Sequence, residues 1–199
     1  MSERDAIRAF LSFALTLTLV RIAALVGADF GLGPDEAQYW YWAQTPDAGY
    51  YSKPPLIAWA IAASTALFGD HEWAVRLPAP VFHLGSALFL FAAVRPHADG
   101  RVAALAGALW LTLPGVFLSA ALMTTDAPLL FFWSAALFLL LRFIAHDRIG
   151  DAAATGAAIG LGLLSKYAMI YFPIGLAAAA LIDPATRSKL LRPRAILAI

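Results

Sequence analysis

Four runs of mostly apolar residues, at 9–28, 74–94, 102–123 and 127–145, constrain this chain more than anything else in it. A helix that crosses a bilayer needs roughly 20 such residues, and each run supplies about that many. Lipid offers the backbone no partners, so runs of this kind must satisfy their own hydrogen bonds as helices. Composition agrees, with 61% hydrophobic and only 14% charged residues, where a soluble domain carries about 25% charged residues. Two more runs, 152–164 and 168–182, are shorter and are separated by Ser165 and Lys166. They predict a tight helical hairpin that falls short of two full spans. The expected fold class is therefore all-α, a polytopic integral membrane protein.

Charge placement orients the chain. If successive runs alternate in direction, Arg4, Arg8, Arg95, Arg101, Arg142, Arg148, Arg187, Lys189, Arg192 and Arg194 share one side. Lysine and arginine concentrate in cytoplasmic loops, so that side is inside. Asp29, Asp35, Glu36, Asp47, Asp70, Glu72 and Asp126 fall on the other, with Lys53, Arg76 and Lys166 as its few cations. Arg21 stands in the outer half of the first run, where it is expected to reach the interface or an outer carboxylate. A cleaved signal peptide ending among Ala24 to Ala28 is the rival reading of this run. Its apolar length exceeds the usual 7–15 residues and Arg21 interrupts it, which favours a retained span. The formal net charge of +1 gives no case for nucleic-acid binding, and the absence of cysteine excludes disulfides and thiolate metal sites.

The segment 29–73 between the first two runs is too patterned for a disordered loop. Pro34 fits a helix start, with Asp35 and Glu36 in the first turn at the positive end of the helix dipole. AQYWYWAQ then reads as an aromatic helix at headgroup level, and TPDAGYY as a turn. Pro54 and Pro55 open a second short helix of about 13 apolar residues, stopped by Gly69 and better suited to an interfacial position than to a span. Tyr39, Trp40, Tyr41, Trp42, Tyr50 and Tyr51 read first as interfacial anchors, with one or two left free for stacking. At the far end, Arg192-Pro193-Arg194 followed by AILAI looks like an inner loop and the opening of a further span. Residues 1–199 are thus expected to be the N-terminal part of a longer membrane domain, inactive by themselves.

The run DEAQYWYWAQTPDAGYYSKPPLIAW…VRLPAP, followed by MTTDAPLLFFW and GLGLLSKYAM, resembles the dolichyl-phosphate-mannose-protein mannosyltransferase-like glycosyltransferases, a group that includes the bacterial aminoarabinose transferases. The resemblance extends over roughly residues 9–194. It implies a GT-C type helical bundle with interfacial helices in the first outer loop. It also implies an inverting transfer of a sugar from a polyprenyl-phosphate carrier to a lipid, glycan or protein acceptor on the periplasmic side of the inner membrane. By the same resemblance Asp35 is the catalytic carboxylate, with Glu36 beside it, and Lys53 meets the carrier phosphate. Arg76, Asp126 and Lys166 join the substrate site.

Each of these residues also has a plainer reading. Two acids at a helix start stabilise its dipole by about 0.3–1 kcal/mol. Lys53 can snorkel, Arg76 can pair with Glu72, and Thr124-Thr125-Asp126 before an apolar run is N-cap chemistry. Lys166, between apolar runs, must face water, a phosphate or a carboxylate. No cofactor is implied with certainty. Some relatives carry a glutamate before the equivalent of Lys53 that helps to hold a metal; Ser52 stands there instead, so only a divalent ion at Asp35 stays open. His71 and His83 have no metal-ligand spacing. The main rival function is a transporter or flippase-like protein for a lipid-linked or anionic substrate. Transporters bind near the bilayer midplane, whereas these charges gather at one face.

The orientation is directly testable. Asp47→Cys is expected to react with an impermeant thiol reagent on intact cells and His97→Cys to be protected; labelling of His97→Cys alone, or of both, refutes it.

Overall fold

The computed structural model describes residues 2–190, 192 and 195. The described residues form α-helices and one 3-10 turn. Arg194 and most of the AILAI segment lie outside them.

The first helix, α1 (Glu3–Gly27), opens on a capping box in which the Ser2 hydroxyl accepts from Asp5 N–H and Asp5 accepts in return from Ser2 N–H. Its buried residues, Ala6, Phe10, Ala14, Thr18, Arg21 and Leu25, recur at steps of three and four and so form one stripe. Leu11, Leu15, Leu19 and Val20 on other faces are exposed, as expected for lipid-facing positions. The next long helix is nearly continuous from α4 (Glu72–Arg76) into α5 (Pro78–Val94). With α8 (Asp126–His146), these are the helices long and apolar enough to cross a membrane among the described residues.

The run at 102–123 does not form one span. It divides into α6 (Gly100–Thr112) and the short α7 (Pro114–Ser119). Proline has no N–H for the preceding turn and disfavours the helical region for the residue before it; here Leu113 leaves the helix at ψ 133°. The proposed hairpin also differs. The chain breaks at Lys166 (ψ 133°), as its polarity predicts, between α9 (Ile149–Ser165) and α10 (Tyr171–Ile182). Yet α10 packs on the 3-10 turn Tyr167–Ile170 and on α11 (Pro184–Leu190) instead of lying along α9. The main partner of α9 is α8. They are joined through Asp147, whose left-handed backbone (φ 51°) caps α8 and reverses the chain.

Helices α1, α5 and α6 are fastened at the end assigned to the inside. Glu3 forms an ion pair with Arg95 and accepts from Gly100 N–H at 3.2 Å, so one side chain ties together the ends of all three. Midway along, the helices approach closely at Gly107, where an added Cβ would lie 2.5 Å from the Phe10 ring and 3.0 Å from the Ala87 carbonyl oxygen.

The loop at 29–73, expected outside, is folded. Within it, α2 (Pro34–Ala43) and α3 (Leu56–Phe68) pack on one another, and Gly69 ends α3 at φ 85°. Tyr39, Ile57, Ile61, Val75, Met123 and Ala127 make a core of their own beneath this cap.

Gly107→Ala is expected to destabilise the detergent-purified protein by about 1–3 kcal/mol through overpacking, visible as a lower Tm. Gly160→Ala meets nothing within 4 Å and is expected to leave Tm unchanged or slightly raised.

Candidate active site

Four of the six residues singled out in the sequence fall into two ion pairs at the end expected to face outward. The first pair is internal. Arg76 Nε and Nη2 donate to the two oxygens of Glu36 at 2.9 and 2.8 Å. Nη1 and Nη2 also donate to the carbonyls of Phe30 and Gly31, and the guanidinium lies 4.2 Å from the Phe30 ring centroid. Glu36 accepts further from Gly33 N–H and Met123 N–H, each at 3.0 Å. With side-chain exposures of 2% and 5%, neither partner presents a free edge to a substrate. The expected pairing of Arg76 with Glu72 or a phosphate is thereby replaced, and Glu36 anchors the loop where it had been expected to assist Asp35.

Burial pushes the Glu36 carboxyl up, but the Arg76 hydrogen bonds, the two backbone N–H groups and the Arg76 charge outweigh it and hold the pKa below the ordinary 4.5. A carboxyl depressed in the folded state contributes stability above its unfolded pKa and loses it as pH falls through the folded value.

The second pair is open. Lys166 Nζ donates to Asp126 Oδ1 at 2.7 Å, with the two side chains 38% and 49% exposed. Such a pair contributes about 0–1 kcal/mol, so a ligand can replace either partner at little cost. Asp126 is the first residue of α8, and Thr125 makes no side-chain cap bond. The carboxylate therefore faces the Lys166 break and does not cap its own helix.

Asp35 is exposed, with no hydrogen bond or ion pair among the described residues. One turn further along α2, Tyr39 is buried in the loop core; burial, then the charges of Asp35 and Asp126, raise its phenol pKa. Tyr39 thus stays neutral between carboxylates carried by two different helices. No residue pattern singled it out from the other aromatics, because its place depends on Met123 and Ala127 packing against it. Lys53 precedes α3, is half-buried and has no ion-pair partner among the described residues.

The remaining aromatics divide by role. Trp42 stacks on Tyr50 at 4.8 Å, and Trp40 Nε1 donates to Asp70, so these build the loop. Tyr41, Tyr51, Tyr167 and Tyr171 are exposed, as anchors should be. Beside Asp126 a cavity of about 610 Å³ runs along α7, apolar at Leu113, Val116 and Leu118 and polar at Ser119 and Thr124. Among the described residues no three His, Asp or Glu side chains converge, and Ser52 offers no carboxylate beside Lys53.

Long apolar helices under a cap of α2 and α3 define a GT-C type membrane glycosyltransferase fold. The dolichyl-phosphate-mannose-protein mannosyltransferase family model matches residues 52–199, and the chain belongs to that family. It is 40% identical to the lipid A galacturonosyltransferase RgtD of Rhizobium johnstonii (strain DSM 114642 / LMG 32736 / 3841), over 94% of this chain and 39% of that protein. The lipopolysaccharide core galacturonosyltransferase RgtA of the same organism is 30% identical over 83% of this chain and 34% of its own length. Among solved structures, ArnT from Cupriavidus metallidurans in the apo state shares the fold with a TM-score of 0.78 and 24% identity, over 96% of this chain and 39% of that one. The chain therefore spans about two fifths of the length of the first of these relatives.

Removing one partner of a buried ion pair costs about 3–5 kcal/mol. Glu36→Gln and Arg76→Met are each expected to lower Tm sharply, and the double variant to recover part of the loss. The wild-type protein is expected to lose stability on acidification below about pH 4.5 more steeply than the double variant, measured by thermal melts across pH.

Proposed function

We propose that this protein belongs to an inverting glycosyltransferase that moves a sugar from a polyprenyl-phosphate carrier to an acceptor at the periplasmic face of the inner membrane. The observation that carries the reading is the exposed Asp35 carboxylate on α2, gathered with Tyr39 and the open Asp126–Lys166 pair. The acceptor hydroxyl attacks the anomeric carbon as the bond from that carbon to the carrier phosphate oxygen breaks. Asp35 takes the hydroxyl proton, and the electron pair leaves with the phosphate. A single displacement inverts the anomeric centre without a covalent sugar–enzyme intermediate.

Lys53 suits the carrier phosphate. It is a cation with no ion-pair partner among the described residues, of the kind that stabilises negative charge developing on a leaving phosphate. Lys166 and Asp126 suit the sugar, one donating and one accepting. The names of the two Rhizobium relatives favour a galacturonosyl group and a lipid A or core acceptor. A uronic acid adds a second anion to the donor, and Lys166 is the remaining outer cation with its head exposed. The transporter reading gains nothing from these residues, since none of them lies at mid-span.

The full-length gene product, supplied with polyprenyl-phosphate galacturonate and lipid A, is expected to add one uronic acid per acceptor by mass spectrometry. Asp35→Asn is expected to stay folded and to lose about 10²–10⁴-fold in turnover. Lys53→Ala is expected to weaken carrier binding and slow transfer, with Lys53→Arg recovering only part. Near-wild-type turnover in folded Asp35→Asn returns that residue to the role of a helix-start charge.

A further inference from the structure

A second polar group lies inside the bundle, and the site described above makes no use of it. Arg21, on α1, is buried and was expected to reach the interface or an outer carboxylate. Instead its Nη2 donates to the Leu111 carbonyl at 2.7 Å, and its guanidinium lies 5.5 Å from the Phe117 ring centroid. Leu111 stands just before the α6–α7 break, where Pro114 disrupts the regular carbonyl partners, so the cation meets the negative end of α6. On α5, His83 is wholly buried, and its Nε2 lies 3.0 Å from Ser119 Oγ, at the last residue of α7. Arg21 thus bonds the last turn of α6 and lies over Phe117 in the middle of α7, and His83 meets the end of α7.

The consequence reaches the candidate site through six residues. After Ser119 the chain runs through residues 120–125 to Asp126 at the start of α8. This connection is pinned at Met123 by Glu36 and at its origin by the His83–Ser119 contact. Ser119 also lines the cavity that Asp126 and Thr124 share. Stability alone does not explain the group. Arg21 Nε and Nη1, His83 Nδ1 and Trp110 Nε1 are buried without hydrogen-bond partners, and apolar side chains of similar shape would pack here at lower cost.

We propose that Arg21 and His83 are positioning residues for sugar transfer: they clamp α7 so that Ser119 and the following connection set the place of Asp126. This rests on the transferase reading above. The clamp acts on geometry at the reacting centre, so it affects turnover more than carrier binding.

The test uses the full-length gene product in detergent with polyprenyl-phosphate galacturonate and lipid A, comparing His83→Leu, Ser119→Ala, their double variant, His83→Gln and Arg21→Met. Either loss of the His83–Ser119 contact is expected to lower kcat roughly ten- to a hundredfold with KM little changed, the scale of a small misplacement of reacting groups. The double variant is expected to be no slower than the slower single. His83→Gln, which restores a polar nitrogen opposite Ser119, is expected to recover most of the rate, and Arg21→Met to follow His83→Leu with an unchanged or higher Tm. Wild-type kcat in Ser119→Ala, additive losses in the double variant, or rates that merely track Tm overturn the clamp. If His83→Leu does not fold, Ser119→Ala and His83→Gln decide by the same criteria. A wild-type protein that transfers no sugar from any polyprenyl carrier overturns the transferase reading, and the clamp with it. An active wild-type with indifferent variants overturns the clamp alone.

Discussion

The buried pair of Glu36 and Arg76 holds the outer half of this protein together. Its atoms reach the start of α2, the carbonyls of Phe30 and Gly31, the end of α4 and the Met123 N–H before α8. Two charges taken out of water are costly, and attraction offsets that cost only where nearly every donor and acceptor is met. Here both carboxylate oxygens accept twice. An interfacial loop has too little apolar area to specify one arrangement by burial alone. The ion pair supplies direction where the small core around Ile57, Ile61 and Val75 supplies only cohesion.

That arrangement separates two adjacent acids that look equivalent on paper. On a helix, neighbouring residues point about 100° apart, so Glu36 can turn inward to Arg76 while Asp35 is left exposed. The same turn of helix therefore assigns one acid to the scaffold and leaves the other open to chemistry. Asp126 and Lys166 repeat the theme with the opposite outcome, since their pair remains exposed and weak.

Much of this was legible in the residues. Pro34, the Pro54-Pro55 step and Gly69 bound the two interfacial helices because each acts locally, on its own backbone. The break at Lys166 follows from a charge between apolar runs. What was not legible depends on contacts between distant residues: the choice of Glu36 over Glu72 as the partner of Arg76, the seat of Tyr39, and the turning of Arg21 toward Leu111 in place of the interface. The division of the run at 102–123 lies between these cases. Pro114 is visible in the sequence, but proline is tolerated in many membrane helices, and only the packing of α7 shows that here it ends one.

The exposed tyrosines have a consequence for where the reaction plane sits. Tyr41 on α2, Tyr51 ahead of Lys53, and Tyr167 and Tyr171 around the Lys166 break project from separate parts of the outer end. Phenol rings favour the layer where acyl chains meet headgroups, so together they act as a float line. Asp35, Lys53 and Lys166 lie close in sequence to one or other of these rings, so the same rings fix their height wherever they settle. Membrane thickness then becomes a variable for any site at this end: a bilayer too thick or too thin shifts the headgroups vertically against a protein whose own geometry has not changed.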